Sequence, residues 1–263
     1  MFSKIVTDQY LYHYTTLEIA IEKILYSGKI RFGPFEETND PRESQDWRIV
    51  DALHLRLKKS GADLISSVNE ERLKRCKVLC LTQDDRSNCQ SGFGCRGFAR
   101  ARMWAQYAGN HRGVCLIFDA KKLDQEIDRA LSGKGKVYRG VVTYTNSFHD
   151  VREAATFKAE ELTKDRMKYI VQKHIDKYAN TIFFHKNRDW RDETEYRYVF
   201  YSDDIEYQFI SLDKILKGIV LGIDFPNVYD PVIGHFKEKY DLEVRYIGWD
   251  KGIPYIQPLN KDK

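Results

Sequence analysis

The apolar periodicity of this 263-residue chain changes along the sequence in an order that few architectures can accommodate. Residues 11–14 alternate like a short strand, and Leu17, Ala20, Ile21, Ile24 and Leu25 then fall on one helical face. Thr15 or Thr16 is placed to cap that helix, and Gly28 stands where a left-handed C′ residue ends one. Residues 29–32 return to a strand pattern. Further strands are predicted at 78–82, 113–119, 136–144, 196–201, 207–210, 216–221 and 243–247. Helices are predicted at 46–59, 63–75, 103–109 and 121–131, with a mostly helical insertion at about 148–178. A strand–helix–strand opening, strands interrupted by helices and a strand-rich end give an α+β class: a mixed, mainly antiparallel sheet core with helical insertions. No repeat or convincing linker divides the chain, so one domain over residues 1–263 is expected.

Composition excludes several classes. Hydrophobic residues at 42% against charged residues at 31% fit a globular chain and argue against disorder. A net charge of +4 permits an anionic partner without demanding one. Residues 1–10 lack the apolar core of a signal peptide, and no run approaches the roughly 18 apolar residues of a membrane span. The five cysteines, odd in number and without C-x-x-C spacing, are expected to be reduced thiols that hold no metal, in a cytoplasmic protein with no membrane partner.

The strongest chemical signal is the run DWRDETEYRYVFY. Glu193 and Glu195 are two apart at the start of a strand, so both carboxylates, and Arg197 after them, are expected on one face. Paired carboxylates can share a proton, orient a sugar hydroxyl or stabilise a developing cation. The structural alternative is a solvated strand end laced with Arg188, Arg191 and Arg197. His13, within Tyr12-His13-Tyr14-Thr15, precedes a helix N-terminus and could bond ribose hydroxyls, or be an ordinary satisfied histidine. Trp104 and Tyr107 are helix-face neighbours; Trp104 reads as a core anchor, whereas Tyr107 could stack on a ring. Asn39-Asp40-Pro41 reads as a turn, with Asp40 a less favoured metal ligand. The basic, glycine-rich loop at 84–102, with Arg86, Arg96, Arg100 and Arg102, reads either as a lid that meets phosphates or as an ordinary surface loop.

These motifs resemble a known family. His13-Tyr14-Thr15, Asn39-Asp40-Pro41, Met103-Trp104-x-x-Tyr107-Ala108, His111-x-Gly113-x-Cys115-Leu116-x-Phe118-Asp119 and Trp190-x-x-Glu193-x-Glu195-Tyr196-Arg197 look like a bacterial family of unknown function, domain of unknown function 2971. More distantly, the opening histidine strand and the late E-x-E resemble ADP-ribosyltransferases. That resemblance implies an NAD-dependent ADP-ribosyltransferase-like enzyme and fold, of the kind found in toxins or phage-defence effectors, with NAD as substrate and a nucleic acid or protein as acceptor. It would make Glu195 the catalytic carboxylate, with Glu193 orienting the acceptor. His13, with Tyr14 and Thr15, would hold NAD together with Arg197. The family's middle motif has no secure match; Tyr107 is the substitute and Tyr144 the reserve. The competing readings are a metal-dependent nuclease built on Asp40, Glu193, Glu195 and His13, and a non-catalytic nucleotide or nucleic-acid sensor.

Overall fold

The computed structural model describes residues 1–4, 8–47, 50–51, 68–85, 87, 92–147, 149–157 and 167–259. The predicted helix at 46–59 lies largely outside these residues, as do parts of those at 63–75 and 148–178.

Fifteen strands are described: β1 (Tyr10–Thr15), β2 (Lys29–Arg31), β3 (Gly33–Pro34), β4 (Val50–Asp51), β5 (Cys76–Thr82), β6 (Val114–Asp119), β7 (Lys136–Val141), β8 (Thr143–Tyr144), β9 (Thr156–Phe157), β10 (His185–Lys186), β11 (Glu195–Tyr201), β12 (Phe209–Ser211), β13 (Leu216–Leu221), β14 (Glu243–Asp250) and β15 (Ile253–Pro258). Nine of them form one sheet in the order β15-β14-β13-β6-β1-β5-β11-β7, with β3 also on β5. Every pairing in that sheet is antiparallel except β13 with β14. This is the expected α+β class with a mixed, mainly antiparallel sheet.

Both faces of the sheet are covered, which explains why its strands are apolar on alternate and even consecutive residues. On one face, Leu79, Leu81, Leu116, Phe118, Tyr198 and Phe200 meet the helices Ile19–Leu25, Ala120–Leu131 and Asp230–Tyr240. The other face carries two clusters. One joins Val78 and Val199 to Phe35, Val171, Ile175 and Phe183; the other joins Tyr12, Tyr14 and Ile117 to Phe98, Met103 and Trp104. The helix Asp230–Tyr240 and the strand β15 escaped the sequence reading.

The first helix is wound in wide π-type turns over Ile19–Leu25. Thr16 caps it, its hydroxyl accepting from the Ile19 N–H at 3.4 Å, and Gly28 at φ +69° closes it as foreseen. Around 101–113 the chain turns with Gly109, Asn110 and His111 all at positive φ. Gly113 is required at its exit, because a Cβ there would lie 2.3 Å from the Thr15 carbonyl oxygen.

Three cysteines, Cys76, Cys80 and Cys115, are free thiols fixed on strands. Cys95 is disulfide-bonded, which corrects the expectation of five thiols. It sits in the turn-rich segment 92–98, where no strand ladder holds the sulfur away from a partner.

Two central strands of the sheet part company along most of their length. β1 pairs with β6 through all six residues, but with β5 only at Tyr12 and Thr82. At its far end the same edge of β5 takes β3, at Val78 and Lys77. Residues 79–81 have no strand partner on that edge among the described residues. The sheet is therefore split between β1 and β5.

Candidate functional site

A cleft of about 930 Å³ lies at this split. Residues 12–15 of β1, with Thr16 after them, and residues 78–82 of β5 form two of its walls. Tyr107, Lys186, Glu193 and Glu195 border it, and so do Lys29, Arg31, Tyr207 and Phe209. A volume near the upper end of the range for ligand sites suits a dinucleotide or two smaller ligands.

His13 uses the gap in the sheet. Its Nδ1 bonds the Cys80 carbonyl at 3.1 Å, an oxygen on the edge that β1 leaves open. A carbonyl can only accept, so Nδ1 carries the proton and Nε2 is left as an acceptor. Burial lowers the His13 pKa, against the raising effect of that hydrogen bond, which favours the neutral ring.

His13 and Glu195 lie on strands that are not neighbours in the sheet. They are separated by β5, whose Thr82 pairs with Tyr12 of β1 and with Glu195 of β11. The divergence of β1 from β5 is what lets both border one cleft. Cys80 lies between them: its carbonyl holds His13, and its thiol helps to keep the Glu195 carboxyl ionised.

Glu193 and Glu195 do not sit on one extended strand as expected. Glu193 ends the 3-10 turn Arg188–Glu193, Thr194 is left-handed at φ 42°, and β11 begins only at Glu195. A β-branched residue in that conformation is strained, and the kink turns both carboxylates onto the same cation. Lys186 Nζ lies 2.8 Å from Glu193 Oε2 and 2.9 Å from Glu195 Oε2, and 5.3 Å from the centre of the Trp190 ring.

The other partners are as close. Tyr107 donates its hydroxyl to Glu193 Oε1 at 2.5 Å. Arg197 grips Glu195 with two nitrogens, Nε to Oε1 at 2.8 Å and NH2 to Oε2 at 2.6 Å. Its NH1 reaches Glu43 Oε1 at 2.7 Å and the Phe183 carbonyl at 2.8 Å. The Glu195 N–H donates to the Tyr144 hydroxyl at 2.9 Å. Burial opposes ionisation of Glu195, but Arg197 and Lys186 outweigh it and hold its carboxyl well below the usual range. Burial raises Glu43 despite Arg197, so Glu43 takes a proton before Glu195 does. Lys186 and Arg197 are each disfavoured by burial, yet Glu195 and Glu43 raise both well above their ordinary values.

Three carboxylates thus face two cations. With all five ionised, one negative charge remains beside the cleft, held in place by direct contacts.

The remaining expectations divide. Trp104 anchors the core, its indole N–H donating to the Phe98 carbonyl at 2.8 Å, while Tyr107 three residues on reaches the cleft. Tyr14 borders the cleft with His13, but its ring turns away from it. Consecutive strand residues face opposite ways, and its ring packs edge-on to Trp104 at 5.1 Å while its hydroxyl donates to the Gly97 carbonyl at 2.6 Å. Thr15 is buried at the cleft wall. Arg197 is fully buried and positions Glu195; it does not itself border the cleft.

Asp40 caps the helix Pro41–Ser44 by accepting from the Arg42 N–H at 2.9 Å, and it does not border the cleft. No group of three or more His, Cys, Asp or Glu among the described residues could hold a metal ion.

Much of the described part of the 84–102 loop packs inward, while Ser87 and Arg102 are exposed and Arg102 pairs with Asp192 at 3.3 Å. Arg96 is buried, bonded to Asp84, to the Met1 and Ser3 carbonyls and to the Tyr12 hydroxyl. Arg100 pairs with Asp85 at 3.3 Å. Arg86 lies outside the described residues.

Sequence reasoning missed Lys186 and Glu43. Glu43 was legible in part, since the Asp40 cap and Pro41 fix a short helix whose inward residue it is. Lys186 stands in a stretch with no periodicity to single it out.

No helix among the described residues is long and apolar enough to cross a membrane. No curated protein and no solved structure matches the chain. Residues 103–198, which hold Tyr107, Lys186, Glu193, Glu195 and Arg197, match the model of a family described as a protein of unknown function (DUF2971).

Proposed function

We propose that the cleft binds NAD and that the chain transfers ADP-ribose from it to an acceptor. The observation that carries this reading is that His13 and the Glu193–Glu195 pair, about 180 residues apart in sequence, border one cleft of dinucleotide size. Cleavage of the nicotinamide–ribose bond sends its electron pair to the nicotinamide and leaves a cationic ribose centre. A fixed carboxylate stabilises that centre without forming a bond to it. The network supplies such a group: Arg197 and Lys186 keep the Glu195 carboxylate ionised and immobilised. Nε2 of neutral His13 accepts from a ribose hydroxyl, and Tyr107, tied to Glu193, lies where a ring can meet the nicotinamide. Glu193 orients the acceptor.

One observation favours a second reading, a nucleotide-binding module without turnover. Both carboxylates already have partners, so neither needs a substrate to complete it. Thermal-shift titration with NAD, ATP and Mg²⁺, together with assay of free nicotinamide, separates the two. Stabilisation by NAD with nicotinamide release is the expected result. Stabilisation without release under all acceptor conditions supports the binding module. A response to Mg²⁺ alone, with none to NAD, contradicts both.

A further inference from the structure

The mouth of the cleft carries a second chemistry that the donor site does not use. β2 and β12 form a small antiparallel ribbon in which Ile30 faces Ile210, both buried. Alternation turns the flanking residues outward, so Lys29 and Arg31 share one face with Phe209 and, in the extended approach to β12, Tyr207. All four border the cleft. Phe209 stands directly across from Arg31, whose guanidinium lies 4.4 Å from the centre of the Tyr207 ring. The rings are not core residues: Tyr207 is 48% and Phe209 50% exposed. Lys23 of the first helix adds a third cation, and Glu37 also lines the cleft.

We propose that this ribbon is the acceptor subsite and that it takes an unpaired base of single-stranded nucleic acid, with Lys23, Lys29 and Arg31 on the flanking phosphates. Aromatic rings beside cations in a groove are what sequence-tolerant single-strand recognition requires, because every base has a face to stack and every nucleotide a phosphate. A duplex keeps its bases stacked inside and offers one to a cleft only at the cost of unpairing and unstacking it. As an acceptor site the assignment rests on the transfer chemistry proposed above; the binding itself does not.

The test is fluorescence anisotropy of the full chain with 5′-labelled oligonucleotides in the absence of NAD. DNA and RNA strands should both bind, and the matching duplex much more weakly. Three phosphate contacts predict that log K falls against log salt with a slope of roughly −2. Tyr207→Ala with Phe209→Ala should weaken single-strand binding about ten-fold or more. Tyr207→Trp with Phe209→Trp should retain it, which separates lost stacking from lost folding. Equal duplex affinity, no loss on ring removal, equal competition by an acidic peptide, or competitive displacement by NAD would each overturn the assignment. Absent oligonucleotide binding with nicotinamide release intact sinks only the acceptor subsite. The reverse result sinks only the donor reading.

Discussion

At the scale of single residues, the cleft is organised by buried charge, and its most informative position is Lys186. One ammonium holds Glu193 and Glu195 together. Lys186→Met would leave two buried carboxylates without it, and removal of one partner of a buried ion pair costs about 3–5 kcal/mol. Urea unfolding should show a loss of that size; a loss below about 1 kcal/mol would mean that the network is less dry than its geometry indicates. His13 gives a pH signature. Its folded pKa, like that of His174, is lowered from the ordinary 6.5 by burial. Below about 6.5 the unfolded chain takes up protons that the folded chain refuses, so this contribution is present above that pH and is lost as pH falls. His13→Gln should flatten the fall in stability between about pH 7 and about pH 5 relative to wild type. An unchanged slope would contradict the burial of the ring.

At the scale of elements, close approach matters more than propensity. A Cβ on Gly97 would come 2.2 Å from the Tyr12 ring, which is itself buried and bonded to Arg96. Gly97→Ala should therefore lower stability by about 1–3 kcal/mol and disturb β1 beside the cleft. A melting temperature equal to wild type would show that the loop yields freely. Elements with strong periodicity were legible in the sequence: β5, β6, β11, β13 and the helix Ala120–Leu131 lie within a few residues of their expected places. The kink at Thr194 was not legible, because its left-handed conformation is imposed by the turn Arg188–Glu193 and not by a glycine or asparagine. Nor was the split between β1 and β5, since alternation sets which face a residue takes and says nothing about which edges remain unpaired. Glu193 and Glu195 were correctly read as convergent, though through the wrong geometry. Tyr14 borders the cleft beside His13, but strand alternation sends its ring toward Trp104, which the motif alone does not reveal.

At the scale of the whole molecule, β1 near the N-terminus lies at the centre of a sheet whose edge strand is β15, and β11 reaches the site from the far side of β5. Such interleaving predicts one cooperative unfolding transition, with far-ultraviolet circular dichroism and tryptophan fluorescence coincident; two separated transitions would indicate independent parts. The same topology assembles a histidine, a tyrosine and a carboxylate network from distant segments into one cleft, and the proposal stands or falls on whether this assembly cleaves NAD. The deciding measurement is nicotinamide release from labelled NAD by wild type and by Glu195→Gln, with folding checked by melting and NAD affinity by titration. Glutamine keeps the shape and much of the hydrogen bonding but removes the charge that a cationic transition state requires. We expect release by wild type and a loss on the order of 10²-fold in the variant, with NAD affinity largely retained. Equal release from both proteins, or none from wild type with nucleic-acid and protein acceptors present, would contradict the proposal.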